Sequence, residues 1–123
     1  MLNFYIDIYD YDSKTVATYH VGGYTYSSKT WYNTNAVSIG VGLYANLPVR
    51  FYHNNTDAFI TIGELTTSWS FVKVIVRNVQ IGQSHYNLSD SNTNWNVGWS
   101  ITLATATPSS GTLDSTIQWP LRL

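Results

Sequence analysis

The chain has 123 residues, of which 11% are charged, and a formal net charge of −1. Its six basic residues are scattered, which does not favour a nucleic-acid or polyanion partner. The absence of cysteine excludes disulfides, thiolate metal sites and a cysteine nucleophile. The N-terminal segment has no basic leader, and no apolar run is long enough to span a membrane. We therefore expect a soluble protein without transmembrane insertion, cytoplasmic or released without a signal peptide.

Alternation of apolar and polar residues dominates the chain and predicts β-strands rather than helices. Ten Tyr and five Trp, together with abundant Thr, Val and Ile, favour the same conformation. Residues 2–9 show the pattern first, with four apolar side chains on one face: Leu2, Phe4, Ile6 and Ile8. A second strand is predicted at residues 15–21. Gly22 and Gly23 should end it, because paired glycines supply the geometry of a tight turn or a bulge.

The later segments repeat this pattern between polar turns. "NTN" at residues 33–35 predicts one turn, and "NNTD" at residues 54–57 predicts the turn of a hairpin. The remaining strands are predicted at residues 24–32, 36–43, 48–53, 58–64, 71–78, 97–106 and 112–119. Because about eight to ten short strands at this spacing are typical of a two-sheet antiparallel sandwich, we expect an all-β fold with a single domain over residues 1–123.

The titratable residues do not form a recognisable catalytic or metal-binding pattern. Most of the seven acidic residues lie in or beside polar turns, where solvated carboxylates are ordinary. The three histidines have no partner at the spacing of a metal site. No nucleophile elbow, phosphate loop or dinucleotide fingerprint occurs. The sequence therefore predicts a protein that is not an enzyme and that needs no metal or cofactor.

Aromatic residues with a polar edge are the strongest functional signal. Residues 19–35 place five rings among glycines, hydroxyls and amides, and residues 89–99 repeat the combination around Trp95. A neutral sugar can lay its C–H face on such a ring while its hydroxyls meet amides and hydroxyl groups. The pattern thus predicts a carbohydrate site, although packing within a sheet is an alternative use of the same rings.

Five segments of the chain also follow a characteristic order: residues 19–23, 37–42, 49–51 and 59–63, and then "NWNV" at residues 94–97. In this order the chain resembles the fungal fruit-body lectins, with similarity of spacing across most of its length. The resemblance implies an actinoporin-like β-sandwich without catalytic activity. It also implies sites for the mucin-core disaccharide of galactose and N-acetylgalactosamine and for N-acetylglucosamine, and assembly into oligomers that act as haemagglutinins.

The resemblance and the aromatic pattern together select the candidate site residues. Trp95 corresponds to an aromatic residue of the family and is the predicted stacking platform. The full set of predicted carbohydrate-binding residues is Trp95, Asn94, Asn96, Thr66, Thr67, Trp69, Gly42, His20 and Tyr24. The expected partners are glycans on glycoproteins or glycolipids. Because single lectin contacts are weak and linked sites add avidity, we expect a homodimer or homotetramer.

Apart from a glycoside hydrolase, which would require two carboxylates facing one cleft, two alternatives to a lectin remain. The first is an actinoporin-like protein that binds membrane lipid, since such proteins share the architecture and use aromatic clusters for headgroups. Residues 1–9 alternate as a strand, however, rather than as the amphipathic helix that a pore former of this type inserts. The second alternative is a structural interaction domain.

Overall fold

The computed structural model describes residues 1–25, 28–55, 57–64, 66–81 and 111–118, and within them the chain forms seven strands and no helix. The strands are β1 (Leu2–Asp10), β2 (Thr15–Thr25), β3 (Trp31–Val41), β4 (Val49–His53), β5 (Ala58–Ile62), β6 (Lys73–Ile81) and β7 (Thr112–Ile117). One antiparallel sheet has the order β3-β2-β1-β6, and the other has the order β5-β4-β7. The predicted all-β fold with two antiparallel sheets is confirmed. None of the described segments is a helix long and apolar enough to cross a membrane.

The core lies between the two sheets and is built from the apolar face of each strand. On β1 it is formed by the predicted set, Leu2, Phe4, Ile6 and Ile8, all of which are buried. Phe51 of β4 is fully buried opposite them. Trp31 of β3 closes the core at one end, because its ring meets Phe51 at 5.1 Å and its indole nitrogen donates to the Tyr52 carbonyl at 2.9 Å. These contacts join β3 to the three-stranded sheet.

The glycine pair does not end the second strand as predicted. β2 continues through Gly22 and Gly23, and the irregularity is a register shift in its pairing with β3. A Cβ atom on Gly23 would lie 2.9 Å from the Trp31 ring. Gly23 is therefore required because the indole ring of Trp31 fills the space of a side chain, and the backbone does not turn at this position.

The predicted division of the next segment into two strands is also wrong. Residues 24–32 and 36–43 were expected as separate strands around a turn at residues 33–35, but β3 is one strand across that turn. Asn33 is accommodated within it at a φ of 51°, a left-handed conformation that asparagine tolerates. The predicted strand at residues 97–106 lies outside the described residues.

Candidate functional site

Three connections meet at the end of the sandwich where β1 ends and β2 begins, and we call this region the loop end. They are the β1–β2 turn (residues 11–14), the β3–β4 loop (42–48) and the β5–β6 loop (63–72). The Leu43 amide donates to the Ser13 carbonyl at 3.4 Å, which joins the first two connections. All three carry aromatic or hydroxyl side chains, so the sandwich holds these groups close together.

Gly42 allows the β3–β4 loop to approach the β1–β2 turn. Its φ is +107°, and a Cβ atom there would lie 2.5 Å from both the Lys14 carbonyl oxygen and the Thr15 Cα. Because these neighbours are backbone atoms, they cannot rotate away as a flexible side chain would. Gly42 was predicted as a ligand-binding residue, and the structure places it at the loop end in a position where backbone packing requires glycine.

A buried tyrosine of β2 holds the β3–β4 loop from the core side. Tyr19 has no exposed surface, and its hydroxyl donates to the Tyr44 carbonyl at 2.6 Å while accepting from the Leu47 amide at 2.9 Å. Burial raises the pKa of this phenol, since the ionised form would lose its hydration. The loop therefore has a defined position relative to β2.

An aromatic pair joins the β3–β4 loop to the β5–β6 loop. The rings of Tyr44 and Trp69 meet edge to face at 5.0 Å with an interplanar angle of 61°. The Tyr44 hydroxyl also donates to the Ser68 carbonyl at 2.8 Å. Trp69 is half-buried and packs against the core. This pair forms the base of the loop end and brings Trp69 into the same region as Gly42.

A second aromatic pair lies at the surface of the loop end. Tyr11 of the β1–β2 turn and Phe71 of the β5–β6 loop meet at 6.0 Å with perpendicular rings. Their exposed fractions are 74% and 85%, and that of Leu43 is 73%. We call Tyr11, Leu43 and Phe71 the apolar tip. Exposure of this degree leaves ring faces and edges open to a ligand.

The β5–β6 loop also carries polar groups at the loop end. Thr66 is exposed, whereas the Thr67 hydroxyl accepts from the Glu64 amide at 2.9 Å and therefore stabilises the turn itself. Arg50 anchors this turn from β4 by donating to the Gly63 carbonyl at 3.0 Å and to the Glu64 carboxylate at 2.8 Å. The structure thus brings the predicted residues Thr66, Thr67, Trp69 and Gly42 to one end of the sandwich.

The other described candidates lie elsewhere. Tyr24 faces Tyr32 across the β2–β3 pair, at the opposite end from the loop end. His20 lies on the face of the four-stranded sheet that points away from the core, stacked on Tyr5 at 4.2 Å. Its Nε2 is 2.5 Å from the Asn3 side-chain oxygen, and the Arg77 guanidinium lies 4.6 Å from the Tyr5 ring centroid. The His20 and Tyr5 rings therefore stack on each other, and Arg77 lies over the Tyr5 ring. His20 and Tyr24 do not flank a turn, because Gly22 and Gly23 between them lie within β2.

An ion pair stabilises the same outward-pointing sheet face. The Asp7 carboxylate accepts from Arg77 Nε at 2.7 Å and from the Thr18 hydroxyl at 2.8 Å. The hydrogen bond from Arg77 is the main cause that lowers the pKa of Asp7, and burial of the carboxylate opposes it. Asp7 lies on the side of β1 opposite the core face, yet its exposed fraction is only 8%. The network ties β1 to both neighbouring strands.

Three aromatic residues of the loop end were not selected as site candidates from the sequence: Tyr11, Tyr44 and Phe71. Tyr11 belongs to the polar turn "YDYDSK", and Phe71 was assigned to a strand that in fact begins at Lys73. Their shared signal is that each lies in or directly beside a connection between strands, where binding residues concentrate. Trp95, Asn94 and Asn96 lie outside the described residues. Within the described ranges, no group of three or more His, Asp or Glu side chains could hold a metal ion.

Comparison with known proteins does not extend these observations. No protein-family model matches the chain, and no significant match was found to a curated protein or a solved structure. The resemblance to the fruit-body lectins accordingly remains a prediction.

Proposed function

We propose that this protein is a non-catalytic lectin that binds neutral glycans at the loop end. The observation that supports the proposal is the exposed, perpendicular pair of Tyr11 and Phe71, at the end of the sandwich that also carries the threonine hydroxyls of the β5–β6 loop. An aromatic face takes the C–H patch of a sugar ring, and neighbouring polar groups take its hydroxyls. No full charge is needed for either contact.

The proposed ligands are galactose-, N-acetylgalactosamine- or N-acetylglucosamine-containing glycans on glycoproteins or glycolipids, in line with the resemblance to an actinoporin-like lectin sandwich. Trp95, with Asn94 and Asn96, stays in the proposal as a further stacking platform. We propose that the protein forms a homodimer or homotetramer, because several linked sites convert weak contacts into avidity on a glycan-covered surface.

A glycan array followed by calorimetric titration of the best ligand tests the function. We expect binding without added metal, and we expect Tyr11→Ala and Phe71→Ala each to weaken it by at least ~10-fold, about 1.4 kcal/mol. Tyr32→Ala is the matched control, since Tyr32 is a ring 47% exposed at the opposite end. Trp95→Ala in the same series tests the predicted platform. An array without any bound glycan, or equal binding by all four variants, contradicts the proposed site.

A second candidate function is contact with a membrane surface. The apolar tip favours it, because Phe71, Tyr11 and Leu43 expose most of their apolar surface together at one end. Aromatic and aliphatic side chains on loops can enter the interfacial region of a bilayer. Co-sedimentation with phosphatidylcholine–sphingomyelin vesicles that carry no sugar distinguishes the two functions. Binding to these vesicles, lost in Phe71→Ala and combined with a blank array, favours the lipid. Two blank results favour a structural interaction domain.

A further inference from the structure

A buried carboxylate holds the β5–β6 loop next to the apolar tip. Asp10, the last residue of β1, has an exposed fraction of 3%, and its two side-chain oxygens accept from the Ser70 amide at 3.3 and 3.2 Å. The Tyr11 amide donates to the Ser70 carbonyl at 3.1 Å. Both backbone groups of Ser70 are therefore bound to consecutive residues at the end of β1.

Burial of the Asp10 carboxylate costs stability, because the group loses its hydration. Removing a carboxylate from water is unfavourable unless charge-assisted hydrogen bonds compensate for the lost hydration. Asp10 provides such bonds to a single amide of a surface loop. Phe71, the residue that follows Ser70, has a φ of 53°, a conformation that is rare for a bulky side chain. Strained residues of this kind persist when their surroundings fix them, and they are enriched at ligand-binding sites.

The geometry connects these two features. Ser70 is held by Asp10 and Tyr11, and the following residue directs its ring outward to meet the Tyr11 ring. Releasing the Ser70 amide would free the backbone that sets the direction of Phe71. The contact between the two exposed rings would then have to form during binding, at an entropic cost that a preorganised site avoids.

We propose that Asp10 is a positioning residue for the glycan site. Through the Ser70 amide it holds Tyr11 and Phe71 as one rigid aromatic edge that receives the apolar face of a sugar ring. This inference depends on the proposed function for its ligand. The orientation of the two rings, however, does not depend on any ligand and can be measured separately.

The test compares Asp10→Ala and Asp10→Asn with Asp7→Ala, a buried aspartate in the same strand that does not contact the loop end. We expect Asp10→Ala to bind the mucin-core disaccharide and N-acetylglucosamine about tenfold more weakly, as loss of a preorganised contact implies. The nuclear Overhauser contact between the Tyr11 and Phe71 rings should disappear with it. Asp10→Asn keeps one acceptor oxygen and should retain intermediate affinity and a weakened ring contact, while Asp7→Ala should change neither.

The outcomes separate the two claims. If Asp10→Ala is folded and keeps the affinity or the ring contact of the wild type, the positioning role is overturned. If Asp10→Ala does not fold, Asp10→Asn decides, and unchanged affinity with an unchanged ring contact overturns the role. If the wild type binds neither sugar, the proposed function fails for these ligands. The ring contact in the variants then decides whether Asp10 positions the tip.

Discussion

Phe71 combines two properties that rarely occur together in one residue. It is 85% exposed, and its φ of 53° is a conformation that L-residues with large side chains avoid. A hydrophobic side chain in water and a strained backbone both reduce stability. Among the described residues, the aromatic contact of Phe71 is an edge-to-face contact with Tyr11. This imbalance is the reason to place Phe71 in a binding site, since selection for stability would favour glycine at this position.

Replacement of Phe71 by glycine should separate binding from stability. We expect Phe71→Gly to leave the free energy of unfolding unchanged or to raise it by up to ~1 kcal/mol, because glycine adopts positive φ without steric cost. Glycan binding should be lost. Asn78→Gly is the control, since Asn78 lies in β6 with a similar φ of 55°. Urea denaturation and calorimetric titration measure the two quantities. A large loss of stability in Phe71→Gly would show instead that the ring has a packing role.

The Asp7–Arg77 pair predicts a dependence of stability on acid. The folded-state pKa of Asp7 lies below its ordinary value of 3.8, mainly because Arg77 donates to the carboxylate. The pair therefore contributes stability above about pH 4, and this contribution is lost as pH falls through the folded-state pKa. Urea denaturation between pH 6 and pH 2.5 should show the decline, and Asp7→Asn should show a shallower one. Parallel curves for the two proteins would contradict this assignment.

The sequence could predict which residue types lie at the loop end but not their exact placement. The family resemblance selected Gly42, Thr66 and Thr67, with Trp69 nearby, and the structure places these residues at one end of the sandwich. Their role in ligand binding stays a prediction. Tyr11 and Phe71 were missed because their contact joins two loops that are distant in sequence. The left-handed φ of Phe71 has no local signature, since a residue of this type is ordinarily read as part of a strand.

The β3–β4 loop and the β1–β2 turn are positioned by close contacts between their backbones, which the pairing of β2 with β3 brings together. β2 and β3 run side by side to the loop end, so the β3–β4 loop leaves β3 directly beside the β1–β2 turn. Gly42 occupies this junction, and Tyr19 holds the loop from the core side. A change at the junction should therefore affect both the fold and the site.

Substitution of Gly42 should lower both the stability of the fold and the affinity for glycans. We expect Gly42→Ala to lower the free energy of unfolding by about 2 kcal/mol or more, because the new Cβ would overlap backbone atoms at a positive φ. Gly22→Ala is the matched control, since its Cβ would come no nearer than 3.3 Å to any neighbour. Chemical denaturation measures the difference, and titration should show weaker glycan binding only in Gly42→Ala. Similar losses in both variants would argue against a special role for this junction.

The element boundaries show what strand periodicity can and cannot predict. β1 follows the predicted alternation closely, because its core face is uniformly apolar and specifies the register. The glycine pair was predicted as a turn or bulge that ends the strand, and the structure has a register shift there but no end of β2. The end was wrongly predicted because a glycine needed for tertiary packing has the same local sequence as a glycine needed for a turn. Only the position of the Trp31 ring, set by the other sheet, distinguishes the two cases.

Within the part of the chain that the structure describes, the four-stranded sheet exposes an aliphatic surface along β3. Val37, Ile39 and Val41 lie along β3 with exposed fractions of 52%, 75% and 68%, and Val16 of β2 adjoins them at 53%. Contiguous apolar surface of this kind is typical of protein contacts. It supports the proposed assembly of copies through the β3 side of the four-stranded sheet.

A single charge on this surface should dissociate the proposed oligomer. We expect Ile39→Lys to give a monomer by light scattering, because a lysine would have to be buried unpaired in the interface. Haemagglutination should be lost while the affinity for a monovalent sugar stays unchanged. Thr116→Lys adds the same charge to an exposed position of the other sheet and serves as the control. A wild type that is already monomeric, or an Ile39→Lys variant that still assembles, would contradict this interface.

β1 lies inside its sheet, although it is the first strand of the chain. It pairs on one side with β2, which follows directly, and on the other side with β6, whose Val76 faces Ile6 from seventy positions later. A ribosome would thus release the first hairpin long before its second neighbour exists. Contacts that close such large segments slow folding, and all-β domains of this kind fold in about milliseconds to seconds. During that interval the apolar face of β1 is uncovered, and transiently exposed apolar surface of this kind favours aggregation.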